Sequence, residues 1–144
     1  MTVKRRKNYK IGNVYAIPLP NGKYAFGRAF EDAGFGVYTH IGTHMDDLPE
    51  SEEYQFIVGI SRWSLKLWTI VDHRPFKTEE EKWPPPTYIL DSISGEYSIY
   101  HKGETTPATR EECIGMDVTA VYDDCHIIDR IMGTGKWPVE ILQP

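Results

Sequence analysis

The sequence predicts a mostly β protein of the α+β class. We expect a curled antiparallel or small barrel-like sheet of six or seven strands, with one short C-terminal helix. Nine Tyr, five Phe and four Trp occur with twelve Gly and ten Pro, a composition that favours short strands and turns. Several apolar runs alternate at the period of a strand, and a single stretch near the end has helical spacing. The length of 144 residues suits one domain, 1–144, with residues 1–8 as a flexible arm.

The first two strands are predicted at 9–19 and 23–30. Between them lies Asn21-Gly22, the dipeptide that most readily adopts the two positive φ angles of a type I′ hairpin turn. Pro18 has no N–H to donate, so we expect it at a sheet edge or a bulge. This stretch therefore predicts an antiparallel hairpin.

The second strand of this hairpin has two unequal faces. Tyr24 and Phe26 alternate with Ala25 and Gly27. One face of the strand therefore carries rings, and the other is thin enough for another group to approach closely.

Five further strands follow the hairpin, and two long loops interrupt them. The strands are predicted at 35–41, 54–60, 65–71, 87–91 and 96–101, and the last two form a second hairpin around Ser94-Gly95. The loops are 42–53 and 76–86, while 103–112 is polar and rich in turn residues.

A short helix is predicted at 124–132. Asp123 is a suitable N-cap and Gly133 a suitable C-terminal stop, and Ile127, Ile128 and Ile131 recur at helical spacing. The remaining residues, 135–144, are predicted to be extended.

The charge of the chain is uneven. The first ten residues hold five of the 16 basic residues and no acidic residue. Residues 11–144 therefore carry 11 basic and 21 acidic groups, a formal net charge of −10. Such a body repels nucleic-acid phosphates and attracts a basic partner, so no direct contact with nucleic acid is expected. We interpret the basic start as a solvated end.

No segment of the sequence predicts export or membrane insertion. The basic start lacks the apolar region of a secretory signal, and no run approaches the roughly 20 apolar residues of a membrane span. We therefore expect a cytoplasmic protein without a membrane partner.

The two long loops concentrate acidic residues. If both open on one side of the sheet, they form a single negative surface that could steer a basic partner. The alternative is that these acids only keep a small protein soluble. The candidate partner-binding residues are Asp46, Asp47, Glu50, Glu52, Glu53, Glu79, Glu80, Glu81 and Trp83.

The tryptophans are candidates for either core or interface. Trp83 lies beside three consecutive prolines in a loop, so we expect it to be exposed. Trp63, Trp68 and Trp137 are expected in the core.

No catalytic or metal-binding motif stands out. His40 and His44 are four residues apart, but Gly42 breaks the helical face that would let them share a metal, and no third ligand has motif spacing. Residues 133–137 resemble only part of a phosphate loop. We therefore expect no cofactor, no metal and no enzymatic activity.

Two blocks of the chain resemble a known family. The segments 12–19 and 22–28 are similar to the opening signature of the immunity protein 26 family, and residues 120–131 give a weaker second match. Asn13 stands where that signature has Asp. The signature residues that we expect to be structural are Ile17, Pro18, Leu19, Gly22, Tyr24, Phe26, Gly27 and Arg28.

The resemblance implies a small cytosolic antidote of a bacterial polymorphic-toxin system. Such a protein binds a cognate protein toxin and blocks it, and many of these toxins are nucleases. Two other functions stay open. One is a small β-barrel ligand-binding or adaptor module, whose aromatic residues line a pocket. The other is a hydrolase that uses His40, His44 and nearby acids.

Overall fold

The computed structural model describes residues 10–144, so the predicted arm at 1–8 lies outside the described residues. Over this range the chain forms nine strands in two sheets and three α-helices, which confirms the mostly β class. The strands are β1 Asn13–Pro18, β2 Tyr24–Ala29, β3 Gly34–Tyr38, β4 Tyr54–Ile60, β5 Thr69–His73, β6 Thr87–Leu90, β7 Tyr97–His101, β8 Glu104–Ala108 and β9 Val121–Tyr122. The helices are α1 Arg62–Leu65, α2 Arg110–Cys113 and α3 Asp124–Met132.

Six strands form the large sheet, in the order β5-β1-β2-β3-β4-β9. Its neighbours are antiparallel, except that β9 pairs in parallel with the end of β4. The sheet stays open rather than closing into a barrel, with β5 and β9 as its outer strands. Pro18 lies beyond the residues of β1 that pair with β5, so its missing N–H leaves no gap in that ladder.

The predicted hairpin β1–β2 forms, but the expected type I′ turn at Asn21-Gly22 is wrong. Of the two residues only Gly22 has a positive φ, of 85°. The N–H of Gly22 donates to the Leu19 carbonyl at 3.0 Å, and the Leu19 N–H donates to the Lys23 carbonyl at 2.9 Å. Pro20 presets φ for the first turn position, which favours a type I turn followed by a left-handed glycine.

Type I′ geometry occurs instead in two other hairpins. Asp32 and Ala33, between β2 and β3, have φ of 57° and 58°, and Lys102-Gly103, between β7 and β8, has 55° and 82°. Two consecutive residues with positive φ match the right-handed twist of the paired strands, whereas a type I turn would splay them. Three non-glycine residues therefore take the left-handed conformation at these turns.

Both faces of the large sheet are buried. One face carries Tyr15, Ile17, Phe35 and Val37 and is covered by α3 and by the α1–β5 connection. The other carries Val14, Ala16, Phe26 and Tyr38, with Leu48 of the 42–53 loop packed against it. The two layers that cover the sheet thus come from different parts of the chain.

The thin face of β2 is filled from inside the molecule. A Cβ placed on Gly27 would lie 2.0 Å from Cζ of Phe35. The ring of Phe35 therefore occupies the space that the missing side chain leaves, and it also stacks on Trp68 at 5.7 Å between ring centroids. The prediction of close approach to this face is met by a neighbouring strand.

The strand predicted at 65–71 is wrong in its first half. Ser61 caps α1, its hydroxyl accepting a hydrogen bond from the Ser64 N–H at 3.2 Å, and β5 begins only at Thr69. Leu65 and Trp68 enter one core from a helical turn three residues apart, whereas strand alternation would place them on opposite faces.

The small sheet has the order β6-β7-β8. The hairpin β6–β7 was predicted, whereas β8 lies in the segment expected to be polar and turn-rich. Its side chains are mostly exposed, so the apolar alternation that identifies a half-buried strand is missing. The segment before β9 attaches this sheet, since the Thr119 N–H donates to the Tyr88 carbonyl at 2.8 Å.

Helix α3 has the predicted bounds. The Asp123 N–H donates to Nδ1 of His126 at 3.1 Å at its start, and Gly133 with φ of 67° ends it. Ile127 points into the core of the large sheet.

Candidate functional site

The two acidic loops meet at one open groove of about 620 Å³. Glu52 from the first loop and Glu80, Glu81 and Trp83 from the second all line it. Four aromatic side chains contribute to its walls: Phe30, Tyr54, Phe76 and Trp83. The groove therefore brings together three of the eight predicted acids and the predicted Trp83, while Asp46, Asp47, Glu50, Glu53 and Glu79 do not line it.

Arg28 of the family signature forms part of the groove wall. Its side chain is almost fully buried, and its Nη2 donates to the carbonyls of Arg74 at 2.6 Å and Pro75 at 3.0 Å. Its Nη1 donates to the Tyr54 hydroxyl at 2.9 Å. The guanidinium carbon lies 3.7 Å from the centroid of the Phe76 ring. Arg28 thus connects the segment that follows β5 to β2.

Glu52 links the groove to the face of the large sheet. Its carboxylate accepts a hydrogen bond from the Tyr38 hydroxyl at 2.5 Å and lies 3.2 Å from Nη1 of Arg74. Arg28 is 3.6 Å away. Burial and this hydrogen bond raise the pKa of Tyr38 well above its ordinary value. Two guanidinium groups therefore neutralise much of the charge that Glu52 was predicted to offer a partner.

Arg74 is a residue of this site that the sequence reasoning missed. It donates to Asp72 at 2.8 Å and to the Pro49 carbonyl at 2.7 Å, as well as contacting Glu52. These bonds tie the 42–53 loop to the end of β5. The sequence gives no signal for this role of Arg74, because its partners in the 42–53 loop, Glu52 and Pro49, lie 22 and 25 residues away.

The other predicted acids differ in whether they form ion pairs within the protein. Glu79 pairs with Lys82 at 2.8 Å and Glu80 with Lys102 at 2.7 Å, and the Lys102 ammonium lowers the pKa of Glu80. Asp46 contacts His44, and Asp47 lies 3.5 Å from His40. Three of the eight predicted acids, Glu50, Glu53 and Glu81, have no ion pair within residues 10–144.

The tryptophans are distributed differently from the prediction. Trp63 is 71% exposed on α1, and Trp83 is half-buried beside the groove. Trp68 is buried as expected, and Trp137 is half-buried. The side chain of Trp83 is partly covered because Lys102 from the small sheet lies 5.9 Å from its ring centroid.

His40, just before the 42–53 loop, has structural partners. Nε2 of His40 lies 2.7 Å from the Asp47 carbonyl oxygen, and the ring stacks on Phe26. The carboxylate of Asp47 accepts the Thr43 N–H at 2.9 Å, which lowers the pKa of Asp47. In the part of the chain that the structure describes, no three His, Cys, Asp or Glu side chains converge in a way that could hold a metal ion.

The loop that resembles part of a phosphate-binding loop is closed by the protein's own carboxylate. Asp129 accepts hydrogen bonds from the N–H groups of Lys136 and Trp137, both at 3.0 Å, and from the Thr134 hydroxyl. These donors lower the pKa of Asp129. Asp129 therefore ties this loop to α3, and the N–H groups of Lys136 and Trp137 already have an acceptor within the protein.

Comparison with known proteins places the chain in a family. A family model described as Immunity protein 26 matches residues 10–99, which is more than half of the sequence. No curated protein and no solved structure matches the chain. None of the helices between residues 10 and 144 is long and apolar enough to cross a membrane. The matched region contains the whole of the Arg28 groove and the signature hairpin, and the chain belongs to the immunity protein 26 family.

Proposed function

We propose that this protein binds a cognate toxin in the cytoplasm and neutralises it by stoichiometric occlusion, without catalysing a reaction. Membership of the immunity protein 26 family carries this proposal. The toxin would be the effector of a bacterial polymorphic-toxin system. The structure contributes a candidate surface, the groove between the two acidic loops.

The charge distribution supports a basic partner. Residues 11–144 carry a formal net charge of −10, and Glu50, Glu53 and Glu81 have no ion pair within the described residues. Long-range attraction of this kind accelerates association and favours partners of opposite sign. A nuclease fits this description, because its cleft must be basic to hold phosphate.

The groove is also rigid before any partner arrives. Arg28, Arg74 and Glu52 connect β2, β5 and the 42–53 loop through hydrogen bonds of 2.6 to 3.2 Å. A preorganised surface loses less conformational entropy on binding, so more of its contact energy appears as affinity. Trp83 and Phe76 supply the aromatic surface that binding hot spots commonly use.

The experiment is co-expression with the C-terminal domain of the protein encoded by the adjoining gene, followed by pull-down and measurement of Kd at several salt concentrations. The test variant is Glu50→Lys with Glu53→Lys and Glu81→Lys. The control is Glu96→Lys with Glu104→Lys and Glu111→Lys, which makes the same change in net charge in and beside the small sheet, where all three acids are exposed.

We expect the test variant to weaken binding by roughly tenfold or more and to flatten the salt dependence. The control should change affinity by less than about threefold, through net charge alone. Equal effects of the two variants would remove the acidic loops as the contact surface. Failure of the unmodified pair to bind would contradict the proposed function itself.

A ligand-binding or adaptor module is the second candidate. The observation that favours it is the lining of the groove by four aromatic side chains, at a volume typical of small-molecule sites. This function predicts a small molecule that remains bound through purification, which native mass spectrometry of the purified protein would detect.

A further inference from the structure

The outer edge of β4 is covered over only part of its length. β9 pairs with β4 at Gly59 and Ile60 alone. The Ile60 N–H donates to the Ala33 carbonyl at 2.9 Å, on the β3 side. Antiparallel ladders alternate, so Val58 and Phe56 also direct their backbone groups towards β3. Ile57 then directs its N–H and C=O outward, with no ladder partner among residues 10–144.

Open space borders this edge. Pairing with β9 ends at Gly59, and a cleft of about 230 Å³ lies between β4, the segment 118–121 and the small sheet. The groove of about 620 Å³ adjoins this cleft. Ile57 and Pro85 line both spaces. Pro85 has no N–H, so it cannot complete the ladder beside Ile57.

The chemistry of this edge selects a peptide. A paired N–H and C=O pointing outward from a strand is complementary to another extended backbone. Asp32 lines the cleft and Glu81 the groove, and neither has an ion pair within the described residues. Most cations of the two spaces are paired within the protein, Arg28 and Arg74 with Glu52 and Lys102 with Glu80. The two unpaired carboxylates and the net charge of −10 therefore favour a segment that carries cationic side chains.

We infer that the toxin docks by adding an extended, cation-bearing segment to the edge of β4 at Ile57. This inference rests on the proposed function and specifies its contact. The added strand lies beside β4 where β9 stops, and its alternate side chains enter the inter-sheet cleft and the aromatic groove. Main-chain hydrogen bonds supply affinity, and the two spaces supply specificity.

Amide hydrogen exchange at single-residue resolution tests the inference directly. The probe is the C-terminal domain of the protein encoded by the adjoining gene, added to the full chain. The Ile57 amide should exchange rapidly in the free protein and slow by at least about tenfold in the complex. The Val58 amide, which pairs with β3, is the internal control and should be slow in both states.

Each result decides between the two proposals. A complex in which Ile57 still exchanges rapidly overturns the edge-docking inference and leaves toxin binding intact. A slow Ile57 amide in the free protein shows that another part of the chain covers the edge, which also overturns it. Absence of any complex overturns both proposals.

A side-chain substitution gives a second measurement. Ile57→Lys places a cation where the cationic segment docks, and we expect Kd to rise at least about tenfold. Ile99→Lys is the matched control, because it makes the same change at a half-buried position on the middle strand of the small sheet. Its Kd should stay within about threefold, and equal losses for both variants would contradict the inference.

Discussion

The two sheets of this protein differ in how deeply their strands are buried. The central strands of the large sheet are buried on both faces, and β1, β2 and β3 have almost no exposed side chain. In the small sheet β7 is half-buried throughout and β8 is largely exposed. The family match at 10–99 contains five of the six strands of the large sheet but ends within β7. The matched region therefore holds most of the deeply buried large sheet and the whole lining of the groove, while the small sheet is packed more lightly.

The largest expected effect tests this contrast by truncating one apolar side chain in each sheet. Phe35→Ala removes a fully buried ring that fills the space beside Gly27, and we expect a loss of about 4 kcal/mol in the free energy of unfolding. Ile99→Ala in β7 removes a half-buried side chain and should cost about 1 kcal/mol. Urea denaturation followed by tryptophan fluorescence measures both. Equal losses would show that the small sheet is packed as tightly as the large one.

A subtler change tests the role of the signature arginine. Arg28→Lys keeps the charge but cannot donate to the Arg74 and Pro75 carbonyls and the Tyr54 hydroxyl together. We expect a loss of about 2 kcal/mol by the same denaturation assay. Arg110→Lys, at an exposed arginine that donates to the Gln143 carbonyl, is the control and should change stability by less than about 0.5 kcal/mol. A harmless Arg28→Lys would exclude the fastening role.

The type I′ turns allow one change that stabilises. Ala33 has φ of 58° between β2 and β3, a conformation that costs an L-residue about 1 kcal/mol. Ala33→Gly relieves this strain, and we expect a gain of about 0.5 to 1 kcal/mol. Lys102→Gly makes the same relief in the small sheet but removes the ion pair with Glu80, so its gain should be smaller. A loss of stability in Ala33→Gly would contradict the turn geometry.

The smallest expected effect on stability depends on pH and changes only under acidic conditions. Hydrogen bonds from Thr134, Trp137 and Lys136 lower the pKa of Asp129 in the folded state. A lowered folded pKa stabilises fully above the unfolded value of about 3.9, and the contribution disappears as pH falls through the folded pKa. Wild type should therefore exceed Asp129→Asn in melting temperature at pH 7, and the difference should shrink as the pH falls below about 4. A difference in melting temperature that does not change with pH would contradict stabilisation by the ionised Asp129 carboxylate.

Some parts of this structure follow from local sequence, and others depend on distant contacts. The sequence predicts strand β4 and helix α3 at their observed bounds, because a compact apolar run, an N-cap and a C-terminal glycine are local signals. The turn at Asn21-Gly22 was mistaken because Pro20 favours a different turn one position earlier. The exposure of Trp63 was missed because a short helix, capped by Ser61, interrupts an apolar run.

The sequence predicts part of the candidate site. Clustered acids identified the two loops, and the structure places Glu52, Glu80 and Glu81 at one groove. The pairing of Glu52 with Arg74 and of Glu80 with Lys102 could not be predicted, since each contact joins residues 22 positions apart. The open edge at Ile57 depends on where β9 stops pairing, which only the topology reveals.

A titration of toxin activity tests the central claim, that the protein acts by docking and performs no chemistry. A fixed amount of the adjoining gene's toxin domain is incubated with increasing amounts of the purified protein, and residual toxin activity is measured. We predict a linear decline that ends at a fixed molar ratio, with a toxin of unchanged mass that regains activity after denaturing separation and refolding. Complete inactivation by a small fraction of an equivalent, or a covalently altered toxin, would contradict the account.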